Sequence, residues 1–464
     1  MRLEAFDHAV IGGGPAGLTA ALELSRCGSV VLLEKGPSVG ARECPAHRLR
    51  RCEECTSCSV LSGLGGASGT LGGKLCLFPA GARLASHVGS TMESANSRSL
   101  NLLARMGLAI PSTAGRLSYE LVDRIHFRDY VSIPVLAQGL GSLFRRMIRT
   151  AEAQGCIIKS GTSVEEVSRR DGGGFSVAYS SAAKRGCLLI RGAVVLAPGR
   201  VGSAWMDGQL ASLRSSSHHE GVDVGIRLEM PNSAVEALDP RLQDPKFKSE
   251  PTSAGGTRTL CWCRGGELCV TAVEQVPMID GHFGETLGSH TSVSIVTRIP
   301  VPPGADGHAM ALGLFARDGS HHSSVTHQDL HSFMRRRPAR PTIGVTSRHR
   351  FRSSYSDIAR NMDPSLWSSV ALMIEHLDVH VLDRQLLSSP DAMVYGPVVD
   401  RFWKSPELDQ TLMTAVEGLY VAGDATGLGR GILQGIFSGL IVAEAVRLRQ
   451  KSGYRAPREV VCGR

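Results

Sequence analysis

Residues 9–17 read Ala9-Val10-Ile11-Gly12-Gly13-Gly14-Pro15-Ala16-Gly17, and they decide how the chain begins to fold. An apolar strand core over Asp7–Ile11 runs into a tight glycine turn. A helical stretch from Leu18 to Cys27 follows and stops at Gly28. Ser29–Leu33 is rich in strand formers and ends on Glu34. Strand, glycine turn, helix, strand, acid is the order of a mononucleotide-binding βαβ unit. Gly12 permits the turn, Gly14 lets backbone N–H groups approach a pyrophosphate, and Gly17 lets the helix lie close to the strand. The helix opening at Pro15 and Ala16 offers the phosphates partial positive charge. Glu34 stands 22 residues beyond Gly12, where a ribose hydroxyl asks for an acceptor.

The chain has 464 residues, too many for one ordinary core, and predicts two or three domains. At 42% hydrophobic and 20% charged it is globular, and its 53 glycines suit turn-rich α/β architecture with backbone-lined sites. A net charge of +8 is modest over this length and reads as a solvated, arginine-rich surface. The first strand starts within the opening residues, leaving no room for a secretory leader, and no run of 18 apolar residues occurs. The expectation is a cytoplasmic protein with no membrane partner. Twelve cysteines then suggest reduced thiols, metal ligation or catalysis rather than a disulfide framework.

Further along, Gly36–Leu84 is rich in Gly, Cys and Arg without periodicity and reads as a long functional loop. Leu136–Ala153 predicts an amphipathic helix ending at Gly155. Short strands follow at Cys156–Ile158, Thr162–Val167, Phe175–Tyr179 and Cys187–Ile190, a predicted β-meander. Ala193–Gly199 reads as a buried strand ending on glycine. From His218 to about Ser389 the pattern changes. Val222, Val224, Ile226, Leu228 and Met230 alternate with polar or small residues, as do Met310, Leu312 and Leu314, which predicts half-buried antiparallel strands. Helices are expected near Thr326–Arg336 and Pro364–His376. Gly418–Asp424 is another buried strand, this one ending in Gly-Asp, and the last helix spans about Ile432–Gln450.

Three of these pieces together, the fingerprint with Glu34-Lys35-Gly36, the strand ending Ala197-Pro198-Gly199, and Ala422-Gly423-Asp424, resemble the FAD-binding oxidoreductases of the glutathione-reductase-like fold. The resemblance implies a discontinuous Rossmann-like FAD-binding domain with a β-meander (1–215 and 390–464) and an inserted α+β substrate domain with an antiparallel sheet (216–389). It implies that Asp424 binds the ribityl and pyrophosphate region, that the backbone at Gly431 and Ile432 lies near the pyrimidine edge of the isoalloxazine, and that the Val164 backbone contacts adenine. Lys35, Gly66, Ala197, Gly199 and Gly423 join this cofactor set. A narrower similarity, through Arg42-Glu43-Cys44-Pro45, Gly63–Lys74 and Arg258–Gly266, is to a group known only as uncharacterised FAD-dependent dehydrogenases. That group typically carries Ser-Asp where this chain has Leu71-Gly72.

Cys44, Cys52, Cys55 and Cys58 have the spacing C-x7-C-x2-C-x2-C. Four thiolates so close suit a [4Fe-4S] cluster or Zn; Cys55 and Cys58 also have the spacing of a redox dithiol, and an inert role is the third reading. Cys261 and Cys263 are read as facing opposite ways on a strand and so unable to pair. Lys74, in the loop expected over the flavin, is a candidate to stabilise reduced flavin or hold a substrate carboxylate. His282 is a candidate acid or base. The pairs His218-His219 and His321-His322 read as solvated loops. The run Arg335–Arg340 lacks the aromatic pattern of a nucleic-acid site, and no nucleic-acid partner is expected.

The functional expectation is two-electron, hydride-type transfer at flavin N5 on a small-molecule substrate, by dehydrogenation or double-bond reduction. NAD(P)H as a transient donor and an electron-carrier protein are the candidate electron partners. An RNA-modifying flavoprotein, a flavin monooxygenase and a thiol–disulfide reductase using Cys55 and Cys58 are the alternatives.

Overall fold

The computed structural model describes residues 4–44, 58–110, 116–122, 125–250, 255–319, 324–338, 349, 351 and 353–452. Cys52 and Cys55 lie outside the described residues.

The apolar run His8–Ile11 becomes the middle strand of a five-stranded parallel sheet, flanked by Val194–Leu196 and Leu419–Val421 on one side and by Val30–Leu33 and Ile157–Lys159 on the other. Parallel strands are covered on both faces, so they read as continuous rather than alternating apolar stretches, and Ala9, Val10, Val30, Val31, Val194 and Val195 are all fully buried. Helix Pro15–Leu24 covers one face and packs against the C-terminal helix Ile432–Lys451 and against Ala137–Ala153. A four-stranded sheet stands beside this layer. Its antiparallel meander Thr162–Arg169, Phe175–Ser181 and Arg185–Ile190 follows the prediction, with Glu4–Phe6 added in parallel. Ile157–Lys159, expected in the meander, instead forms the edge of the parallel sheet.

The remaining large element is a nine-stranded sheet in which Val222–Pro231 pairs antiparallel with His290–Ile299 and Met393–Arg401. Its strands Arg116–Val122 and Ile125–Tyr130 precede residue 216, and Met393–Arg401 follows 389. The alternation over Val222–Met230 does mark a strand, but not a half-solvated one. Asp223, Arg227 and Glu229, on its polar face, are as buried as the valines opposite them.

Two local readings are overturned. Met310, Leu312 and Leu314 lie on a helix, Gly307–Phe315, because Asp306 caps it by accepting from the His308 and Ala309 amides and because His308, Ala311, Leu312 and Phe315 bury one helical face. Thr326–Arg336 is not one helix: Thr326–Asp329 joins the large sheet, and Asp329 then caps a short helix Leu330–Met334. The Pro364 helix runs to His380, with Asp363 as its cap. Among the described residues no helix is long and apolar enough to cross a membrane.

Candidate functional site

A cavity of about 1120 Å³ runs from the fingerprint turn to the polar face of the nine-stranded sheet. That exceeds the ~300–1,000 Å³ typical of small-ligand pockets and suits an extended ligand together with a second one.

At the first end the walls are largely backbone. Gly12 turns with φ +105°, and a Cβ there would stand 2.1 Å from the Ala197 carbonyl oxygen, so the turn and the neighbouring strand end fit only without a side chain. Gly14 forms the N-cap of helix Pro15–Leu24, where an added Cβ would stand 3.8 Å from Gly66 Cα. The helix N-terminus thus opens onto the cavity with its amides free for an anion. The loop over it is held by Arg42, whose guanidinium donates to the carbonyls of Ser59 (3.0 Å), Val60 (2.7 Å), Leu64 (3.1 Å) and Gly66 (2.5 Å). Glu34 is buried, and its carboxylate accepts from the amides of Gly13 (2.6 Å), Gly36 (2.8 Å) and Gly63 (2.9 Å). It therefore organises the turn and still lines the cavity, with acceptor capacity to spare. Lys35, Gly66, Val164, Ala197, Gly199, Gly423, Gly431 and Ile432 line the same space. Gly17 packs beneath it against the Gly12 carbonyl. Burial pushes the Asp424 carboxyl up to about 6, against the opposing pull of Arg200 and the Gly431 amide.

At the far end the walls are charged side chains from distant parts of the chain. Arg200 donates to Asp280 at 2.9 Å. Burial alone would raise Asp280, but Arg200, Arg430 and Arg227 hold it at about 2. Asp223 accepts from Arg298 at 2.8 and 2.6 Å and from Arg258. Arg83 and Arg401 both pair with Glu220. None of Arg200, Asp223, Arg227 or Asp280 was singled out from sequence; the charged positions alternating along Val222–Met230 were the available signal.

Lys74 and His282 both reach the cavity lining, but in different states. Lys74 is buried in an ion pair with Asp244 at 2.8 Å and donates to the Trp262 carbonyl. Burial disfavours its charge, yet Asp244 and the neighbouring thiols outweigh this and keep the ammonium protonated. His282 ends the hairpin strand Val276–His282; burial lowers its pKa, and Nδ1 has no hydrogen-bond partner. Cys58 lines the cavity. Cys44 is part-exposed, and among the described residues no group of three or more His, Cys, Asp or Glu side chains is placed to hold a metal.

Cys261 and Cys263 do come together, against expectation. Residues two apart on a regular strand share a face in the first place. Here the register against His290–Ile299 also slips between Leu260 and Cys263, with Cys261 at φ +56°. The resulting bulge brings the two Sγ atoms to 3.9 Å.

Residues 7–44 match the family model of an FAD binding domain. No curated protein matches the chain. Among solved structures, the chain is similar to a geranylgeranyl bacteriochlorophyll reductase-like protein from Thermoplasma acidophilum, at 14% identity over 97% of this chain and 80% of that one, TM-score 0.45. It is also similar to the 3-ketosteroid-Δ4-(5α)-dehydrogenase of Rhodococcus jostii, at 13% identity over 96% and 97%, TM-score 0.44. A third is the glycine oxidase of Geobacillus kaustophilus, at 14% identity over 96% and 95%, TM-score 0.41. The family match falls on the fingerprint turn, the open helix N-terminus and Glu34, the parts whose geometry suits a dinucleotide. The segment that builds this end of the cavity is thus similar to an FAD binding domain, and FAD is the cofactor that the match supports.

Proposed function

We propose that this chain is an oxidoreductase that moves two electrons between FAD and an anionic small molecule lying under the nine-stranded sheet. The carrying observation is the single cavity that joins the glycine fingerprint to Arg83, Arg258, Arg298 and Arg401, four guanidinium groups set against the two carboxylates Asp223 and Glu220. A cluster with that surplus of positive charge favours a carboxylate or phosphate on the substrate.

FAD supplies hydride chemistry at N5. The chain supplies the surroundings. Amides at the Pro15 helix terminus take the pyrophosphate, Glu34 takes a ribose hydroxyl, and Asp424 takes the ribityl region. The backbones of Val164, Gly431 and Ile432 border the adenine and pyrimidine edges. In this reading 1–215 and 390–464 act as the FAD-binding part and 216–389 as the larger share of the substrate part. Lys74, tied to Asp244, is a positioning residue; neutral His282 is the candidate to move a proton. Dehydrogenation or double-bond reduction is the reaction class, with NAD(P)H or an electron-carrier protein closing the cycle.

The test is an absorbance titration of the purified protein with FAD, followed by difference spectra with matched carboxylated and neutral small molecules. Binding of FAD in equal amount, and spectral shifts from the carboxylated series that weaken about tenfold or more in Arg298→Met, are expected. A folded, colourless protein that refuses FAD overturns the cofactor assignment; equal response to neutral analogues overturns the substrate class.

A further inference from the structure

Cys261 reaches the cavity lining, while Cys263 is 1% exposed behind it. Their sulfurs, 3.9 Å apart, need only side-chain rotation and a small backbone shift to bond, because the bulge has already shortened the reach between them. Such close thiols on the wall of a flavin cavity have a structural reading, that of two small apolar fillers. The charges around them argue against it.

Arg227 is fully buried and gives its hydrogen bonds to neutral acceptors: the Ser292 and Ser294 hydroxyls at 2.9–3.1 Å and the Cys261 carbonyl at 3.0 Å. The Asp280 carboxylate stands 3.9 Å away, and that side chain already bonds Arg200. Room for the guanidinium exists because residue 281 is glycine, where a Cβ would stand 1.8 Å from Arg227 Nη2. On the other side Lys74 bonds the carbonyl of Trp262, between the two cysteines. Lys74, Lys246, Arg200, Arg227 and Arg430 are thus five cations around the four carboxylates Asp244, Asp280, Asp400 and Asp424. Burying unmatched charge is strongly unfavourable, and a thiolate on Cys261 reduces the excess. Cys263 is placed to donate to it, and with Lys74 and Arg227 this lowers the Cys261 pKa well below that of a free thiol.

We propose that Cys261 and Cys263 form a redox pair that exchanges two electrons with bound FAD. In the oxidising direction the Cys261 thiolate and the Cys263 thiol join in one S–S bond, and Cys263 gives up its proton. FAD is the oxidant: it gains the two electrons and that one proton. The reverse step, from reduced flavin, breaks the S–S bond and restores the thiolate–thiol pair. Cys261 is the sulfur on the cavity side and Cys263 the resolving one. The pair gives the enzyme room for a second electron pair beside the flavin. This rests on the FAD reading above, and the tests separate the two.

The tryptic fragment 259–264 carries both cysteines and no other residue that forms a thiol adduct. Alkylation and mass spectrometry of the air-oxidised flavoprotein should find it unlabelled and two hydrogens lighter, and doubly labelled after anaerobic dithionite. In the same flavoprotein, anaerobic dithionite titration should consume about one reductant equivalent per FAD more in the wild type than in Cys261→Ser or Cys263→Ser. Retained yellow colour shows that each variant is folded. A fragment doubly labelled before and after reduction overturns the pair. So does equal reductant uptake by wild type and variants. A colourless sample removes the FAD reading itself, and the labelling result on that sample still reports whether the sulfurs bond.

Discussion

The two ends of the cavity recognise ligand in opposite ways. At the fingerprint end the surface is backbone: a glycine turn, helix amides, and a carboxylate already bonded to three amides of its own chain. At the sheet end it is side chains, with Asp244 holding Lys74, Lys246 and the Trp262 amide at 2.6–3.0 Å. Backbone recognition is set by a short consecutive stretch and tolerates almost no added atom. The charged end joins partners as much as 188 residues apart, and its weak point is the loss of a partner rather than the gain of bulk.

Gly12→Val should show the largest effect. A side chain at φ +105° and 2.1 Å from a carbonyl oxygen forces the turn open, at a cost on the order of 3 kcal/mol or more, with loss of FAD. Flavin absorbance after purification checks this; a yellow variant of normal stability would break the contrast. Asp244→Asn tests the other end. It leaves Lys74 as a buried ammonium with no carboxylate partner, and should destabilise by about 3–5 kcal/mol in denaturant unfolding. An effect below about 1 kcal/mol would mean that this end tolerates partner loss.

A pH series sharpens the comparison. Asp424 is raised to about 6 from an unfolded value near 3.9, so folding takes up a proton between those values, and its contribution to stability falls as pH rises through them. His8, buried at the start of the middle strand of the parallel sheet, is lowered to about 4 from about 6.5, so its contribution rises over much the same window. Asp424→Asn removes the falling contribution. Thermal melts of flavin-free protein from pH 4 to 7 should climb more steeply in the variant than in the wild type; parallel curves would contradict the assignment. The smallest effect is expected far from both ends. Asp363→Ala removes the side chain that accepts from the Ser365 and Leu366 amides at the start of the Pro364 helix, and should cost about 1 kcal/mol with FAD binding unchanged.

What could be read in advance divides along the same line. The βαβ unit, the meander over 162–190 and the last helix are carried by local periodicity and glycine placement, and they appear where expected. Met310–Leu314 misled because Gly307–Phe315 is short and mostly apolar, so alternate positions are hydrophobic whichever period applies; the Asp306 cap was the better signal. The Val222 strand misled differently. Its alternation is real, but polar residues opposite an apolar face were taken to meet water, and in the folded chain Asp223 meets Arg298 while Arg227 meets buried hydroxyls. Lys74 lines the cavity, and its ion pair was not legible in the sequence, since its partner Asp244 lies 170 residues away.

By itself, then, the sequence determined the backbone-lined end of the cavity, because a tight turn, a helix start and a strand end are properties of neighbouring residues with few conformations open to them. Only the tertiary structure decided what faces that end. Which charge pairs with which, whether a polar strand face is wet or buried, and whether Cys261 and Cys263 touch all depend on segments that meet only once the sheet is closed and water has left. The energy of a charge or a thiol is set by those surroundings far more than by its neighbours along the chain.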